Sequence, residues 1–323
     1  MPERRPPSSD APGDADPPGA TQGAEGREGK RDQRDRHGLG GDRAEAHSEE
    51  KGFSLSRREK RDVAEKLPPR ATVLHEAIRV EGEAELKRKP QALVLSAIAA
   101  GLSLGFSMLA KALLYAHLGD FPARFVVVSL GYTVGFLVVV LARQQLFTEI
   151  TMTAVLPVMT RPSWRKLLQL LRMWGLVFLG NLLGVALFAW AISHLDLFQP
   201  PVRQALLHGA HELMQNTPIQ MFDKAIFAGW LLATMVWLLP AAEQSRALVV
   251  IALTYLIALG GFTHVIVGST EALYLVFRAQ LGFGEFLWHF MLPTLAGNIV
   301  GGSLMFALLS HAQVRSDEED DGP

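Results

Sequence analysis

The sequence contains no cysteine, which excludes disulfides, thiolate metal sites and iron–sulfur ligation by Cys. Charge is scarce over most of its length. Residues 90–316 carry only 12 Lys+Arg and 8 Asp+Glu, far below the roughly 25% charged content of soluble domains. The N-terminus is polar and Pro-rich, with no apolar stretch that would mark a secretory signal peptide, so membrane insertion falls to the first span. No nucleophile–base pair, cofactor loop or metal set can be picked out, which argues against an enzyme and against a bound cofactor. His208 and His211 are three apart and can share a helix face, but two His without further ligands are a weak metal signal. The paired Asn-Pro-Ala boxes of water channels are also missing.

What is present divides into four parts. Residues 1–55 are rich in Pro, Gly and charge, too poor in apolar surface to offset ordering entropy, and are expected to be a disordered cytoplasmic tail. Residues 1–89 hold 19 Lys+Arg and 19 Asp+Glu, a balance unlike a one-sidedly basic nucleic-acid arm. Over 56–89, Val73, Leu74, Ala77, Ile78, Ala84 and Leu86 alternate with charge. This predicts an amphipathic helix against the cytoplasmic face, or a solvated linker helix. Residues 90–312 form the membrane domain, and 313–323 an acidic cytoplasmic tail.

The membrane domain is long enough for about six spans of 20–25 residues in a lipid bilayer. They are expected near 90–116, 125–159, 167–195, 221–240, 247–281 and 286–312. Lys87-Arg88-Lys89 before the first span, and Arg161, Arg165 and Lys166 after the second, place both termini in the cytoplasm. The second and fifth spans are interrupted, at Arg143-Gln144-Gln145 and at Gly260 to Ser269. Backbone that leaves the helix at membrane depth must find partners in protein or in a water-filled path, and an ionisable His there marks a functional site.

Two motif pairs recur. Gly180-Asn181-Leu182-Leu183-Gly184 echoes Gly297-Asn298-Ile299-Val300-Gly301, 117 positions on. Phe147-Thr148-Glu149-Ile150 echoes Phe262-Thr263-His264-Val265, 115 positions on. The repeat unit then holds three spans with a broken middle one, and an odd count inverts the second half. Half-helices starting near Ile150 and Ser269 would point partial positive charge at one path, which favours an anion. Thr148 offers a hydroxyl, and His264 can be neutral or cationic near physiological pH. The Asn of each Gly-Asn pair is read as a bond across helices or to the broken backbone, not as a substrate ligand.

Leu146-Phe147-Thr148, Gly180-Asn181-x-x-Gly184, Gly261-Phe262-x-His264 and Gly297-Asn298-Ile299-x-Gly301-Gly302 resemble the formate/nitrite transporter family, in its YfdC-like branch. The resemblance covers roughly residues 87–312. It implies an all-α fold with six transmembrane helices per protomer, arranged as an aquaporin-like 3+3 inverted repeat with broken second and fifth helices. It also implies a homopentamer in the inner cell membrane, with one pore per protomer for small monovalent anions such as formate, nitrite or hydrosulfide, alone or together with protons. Thr148 and His264 would face each other at the narrowest point, with apolar constrictions at Leu146, Phe147, Phe136 and Ile257.

The chain differs from formate-selective members at Thr263 and Gly268, where they carry Glu and Asn, and at Glu149, where they carry a small residue. Glu149 is expected to pair with Arg143 or Lys224, or else to line the inner vestibule and repel anions. Lys224 can attract anions in the outer vestibule or snorkel at a span end. A different class of function remains open at this point: a regulatory or scaffold membrane protein whose tail binds a partner and whose pore an Arg143/Glu149 network closes.

Overall fold

The computed structural model describes residues 55–67 and 69–320; the expected disordered tail lies almost wholly outside them. The described residues are helical, without strands. The chain divides at Pro68 into two units. The first holds helix α1 (Arg57–Lys66), opened by a capping box in which Ser56 Oγ accepts from Glu59 N and the Glu59 carboxylate from Ser56 N.

The second unit begins with α2 (Ala71–Leu86), so the single helix expected over 56–89 is two, because consecutive prolines at 68 and 69 stop helix propagation. His75, Ile78, Gly82 and Leu86 are its buried face. This face packs against the end of the unit that carries α7 (Leu156–Thr160), and Gly82 lies so close to Thr153 O that a Cβ would sit 2.1 Å from it.

Among the described residues, five helices are long and apolar enough to cross a bilayer. They are α3 (Pro90–His117), the pair α4 (Arg124–Leu130) and α5 (Thr133–Leu141), α8 (Trp164–His194), α10 (Pro218–Leu238) and α13 (Phe283–Ser316). Shorter apolar helices fill the remaining depth: α6 (Phe147–Thr153) with α7, then α11 (Arg246–Leu259) and α12 (Val265–Phe277). The expected polar connection over 196–220 contains a helix, α9 (Pro200–Met214), started by two prolines and burying Val202, Ala205, Leu206 and Ala210 at helical spacing.

Packing follows the small residues. Along α3 and α8, Gly101 sits where a Cβ would lie 2.2 Å from Asn181 O; along α10 and α13, Gly229 sits where a Cβ would lie 2.4 Å from Asn298 O. Only glycine permits such backbone approach. Between α4 and α5 the path slackens at Gly131-Tyr132, where Ser107 Oγ on α3 donates to Tyr132 O at 2.7 Å and accepts from Gly135 N at 3.1 Å. Helix α13 widens to π-helical turns at Phe286–Met291, just before Pro293, and again at Val300–Ala307. Proline lacks the amide donor and crowds the carbonyl four residues back, and the wider turn makes room for it. Helix runs on to Asp320 (Leu308–Asp320), with Val314 buried and His311 bonded to His75 at 3.0 Å.

Candidate functional site

The two interruptions are built from the same parts. Each preceding helix ends on a residue in the left-handed region, Arg143 (φ 51°) after α5 and Gly261 (φ 58°) after α11. Arg143 N donates to Val140 O and Gln144 N to Val139 O, at 3.2 and 2.9 Å; Gly261 N donates to Ala258 O and Phe262 N to Ile257 O, at 3.1 and 3.0 Å. These paired bonds are Schellman caps, which use up carbonyls that the helix end leaves open. The chain then runs extended to Leu146 and to His264, each the N-cap of the short helix that follows.

One asparagine ties each break together. Asn181 Oδ1 accepts from Phe147 N at 2.9 Å, while its Nδ2 donates to Ala97 O and Gln145 O at 2.8 Å each. Asn298 Oδ1 accepts from Val265 N at 2.9 Å, and its Nδ2 donates to Ala225 O and Thr263 O at 2.8 and 3.1 Å. Both side chains are fully buried. The structure therefore gives the Gly-Asn pairs the structural duty expected of them, and it corrects the register of the breaks. Arg143 corresponds to Gly261 and Phe147 to Val265, 118 positions apart, so the Phe-Thr match at 115 is out of step by three. The half-helices start at Phe147 and Val265, earlier than Ile150 and Ser269. Their ends are also less open than expected, because the asparagines take the first N–H of each helix and His264 takes a further one on α12.

Thr148 Oγ1 and His264 Nε2 are 2.7 Å apart, both groups buried. His264 Nδ1 accepts from Val267 N at 3.2 Å. With Nδ1 occupied as an acceptor, the ring proton belongs on Nε2, which donates to Thr148. The threonine hydroxyl keeps its own hydrogen to offer elsewhere. Phe136 stands edge-on to the His264 ring at 5.2 Å and tilts over Tyr132 at 5.3 Å.

A cavity of about 730 Å³ ends on His264, and Ile257, Thr263, Tyr132, Lys111, Lys224 and Glu271 are among its walls. It lies on the side of α9 and of the loop between α3 and α4. Ile257 and Leu146 are fully buried. Phe147 turns away: at the first position of α6 its ring is directed onto α8, against Trp174 at 5.9 Å and Phe178 at 5.1 Å. Thr263 Oγ1 donates to Met221 O at 2.7 Å, anchoring the break to α10.

The expected ion pairs of Glu149 do not form. Lys224 Nζ instead donates to Asn216 Oδ1 at 2.6 Å, because it points up into the cavity. Arg143 is exposed, and its role is at the helix cap. Glu149 Oε1 is buried without a hydrogen-bond partner among the described residues. A pore closed by an Arg143/Glu149 network thus loses its contact.

His208 and His211 diverge, His208 tilted over Tyr115 and His211 bonded to Gln280 at 2.7 Å. No group of three or more His, Asp or Glu suited to a metal ion occurs among the described residues. Sequence reasoning missed the ion pair of Lys111 and Glu271 at 3.2 Å in the cavity wall. The signal was available, since an ionisable residue inside an apolar run is a functional pointer by itself.

Comparison with known proteins places this geometry. The formate/nitrite transporter family matches residues 72–312. The inner membrane protein YfdC of Escherichia coli (strain K12) is 51% identical over 277 residues, 85% of this chain and 88% of that protein. A formate-nitrite transporter of Plasmodium knowlesi (strain H) is 28% identical over 234 residues, 67% of this chain and 74% of its own. A solved pentameric formate channel with formate bound shares the fold, with a TM-score of 0.61 at 20% identity over 69% of this chain and 97% of that one. The family is one of transporters, and the Plasmodium relative and the solved structure are a transporter and a channel, not enzymes. The matched length and the 51% identity agree: this multi-pass membrane chain belongs to the formate/nitrite transporter family, on the YfdC-like side of it.

Proposed function

We propose that the chain conducts small monovalent weak-acid anions, such as formate or nitrite, through a path within each protomer. Its six crossings form two inverted halves, with the second and fifth broken, and the protomers assemble as a pentamer with both termini in the cytoplasm. One observation carries the reading: Thr148 on one break and His264 on the other are joined by a 2.7 Å hydrogen bond at the floor of the cavity. An anion arriving there displaces that bond and meets two donors, the Thr148 hydroxyl and His264 Nε2–H. His264 is held by the bond from Val267 N to its Nδ1 and both groups are buried, so little ordering cost falls on the anion's arrival.

The apolar groups at this level, Phe136, Ile257 and Leu146, disfavour a bare charge. A proton taken up with the anion from cavity water removes that cost, because the neutral acid crosses instead. The cavity's Lys224 draws anions in. Reconstitution in liposomes tests the reading. Flux of at least one of formate, nitrite, hydrosulfide and acetate is expected between about pH 5 and 8, the range that brackets histidine titration. No flux of any of them refutes it. His264→Phe is expected to remove the pH dependence, and unchanged pH-dependent flux would take His264 out of the mechanism.

A further inference from the structure

The proposed path leaves one charged pair unused. Lys111 on α3 and Glu271 on α12 meet at 3.2 Å in the cavity wall, 160 positions apart in sequence. Glu271 is 7% exposed at its side chain, and Lys111 is 31% exposed. Lys111 Nζ also stands 5.9 Å from the centroid of the Tyr132 ring. Ser107, one turn before Lys111, holds the Tyr132 backbone by donating to its carbonyl. Glu271 follows His264 by two turns of the same helix, about 10 Å along its axis. An anion moving down the cavity to His264 therefore passes this pair.

A bilayer-depth carboxylate in the wall of an anion path works against the anion unless its charge is matched. Here it is matched by the Lys111 ammonium, one of two lysines in the cavity wall. A side-chain carboxylate and formate are the same functional group, so both compete for Lys111.

We infer that Lys111 is an anion-receiving site in the cavity and that Glu271 is its built-in competitor, a tethered carboxylate that an incoming small carboxylate or nitrite must displace. The exchange keeps the site weak, so the anion moves on to His264 without being trapped. The inference rests on the anion-path reading above and adds a residue pair to it.

The test uses the full-length protein and formate as the probe. Thermal stabilisation by formate reports binding without requiring flux, since a ligand that binds the folded state stabilises it in proportion to ln(1+[L]/Kd). Glu271→Gln is expected to lower the formate Kd fitted to that dependence about tenfold, the scale of a half-buried ion pair. In liposomes it is expected to lower the half-saturating concentration of flux by the same factor and to reduce the maximal rate. Lys111→Gln is expected to raise both the Kd and the half-saturating concentration of flux.

Should Glu271→Gln fail to fold, Glu271→Asp keeps the charge but draws it back, and the same shift of smaller size is expected. A lower melting temperature with an unmoved formate Kd would make the pair purely structural and overturn the inference. So would an absence of formate stabilisation in the wild type and every variant. A wild type that binds formate but passes no anion would refute the conduction reading alone.

Discussion

Replacing Asn298 with alanine should unfasten the second break without disturbing the helix that carries it. The side chain is fully buried and makes three hydrogen bonds, to Val265 N, Ala225 O and Thr263 O. Ala225 lies inside α10 and its carbonyl keeps the helical partner four residues on. Val265 N and Thr263 O belong to the break and would be stranded. Each stranded buried group costs about 1–3 kcal/mol, so the pair costs about 2–6 kcal/mol. Water cannot readily stand in, because Thr263, His264 and Val265 are all buried. A folded unit of this size loses about 2–4 °C per kcal/mol, which puts the drop on the order of 10 °C.

The assay is heating of the purified protein in detergent followed by size-exclusion chromatography of what remains monodisperse. Asn181→Ala is expected to match Asn298→Ala to within about twofold, since Asn181 holds Phe147 N and Gln145 O in the same way. Ser310→Ala is the control, because that hydroxyl bonds only the carbonyl four residues back on its own helix. If Asn298→Ala melts within about 2 °C of wild type, as the control should, the amide does not hold the break.

Arg143 occupies the left-handed region without being glycine; Arg143→Gly should raise stability by up to about 1 kcal/mol by removing that strain, with flux unchanged. Gly261→Val, at φ 58°, should cost more than the 1–2 kcal/mol typical of that conformation, and thermal denaturation of the pair checks both. Phe147→Ala should destabilise by about 3–5 kcal/mol through a cavity beside Trp174 and Phe178 while leaving anion selectivity alone. Phe136→Ala, beside the His264 ring, should instead raise flux or broaden the range of anions passed.

The contacts of α2 should weaken in acid. The Arg79 guanidinium holds the Glu76 carboxyl below its usual 4.5, and a hydrogen bond from Lys166, with Arg79 nearby, does the same for Glu83. A depressed carboxylate contributes stability above its unfolded value that is lost as pH falls through the folded one. Hydrogen exchange over 71–86, corrected for intrinsic rates, should therefore lose protection below about pH 4.5 and not above it.

The spans and the existence of two breaks were legible because both are written in composition: apolar runs of bilayer length, then polar residues where none should be. The start of each half-helix was not. His264 caps α12 with Nδ1, a role that sequence rules reserve for Ser, Thr, Asp and Asn, so the helix begins sooner than those rules place it. The fate of Glu149 was hidden for a different reason. Sequence places it one residue from Thr148 and six from Arg143, but helix phase and the left-handed turn at Arg143 decide where each side chain points. Lys111 and Glu271 meet only through the packing of α3 on α12, and no local pattern announces a partner 160 positions away.

The corrected register explains why the polar pair sits where it does. At matched positions the two breaks carry residues that do the same structural work: Asn181 with Asn298, Gly101 with Gly229, Arg143 with Gly261. At the two positions that meet, the halves differ. His264 is the cap of one half-helix where Leu146 caps the other, and Thr148 on the second residue of α6 corresponds to Ile266 on the second residue of α12. Two polar caps facing each other would form a symmetric, wetter gap; two apolar ones would leave no donor for an anion. One of each places a single imidazole and a single hydroxyl in contact inside apolar walls. The two breaks thus share the asparagine clamp and the left-handed cap, while the polar contact between them is made once. Exchanging the unmatched residues, as in Leu146→His with His264→Leu, should keep the fold and its asparagine clamps while removing the Thr148 contact, and with it the proposed conduction. Conduction that survived the exchange would show that the path does not depend on that contact.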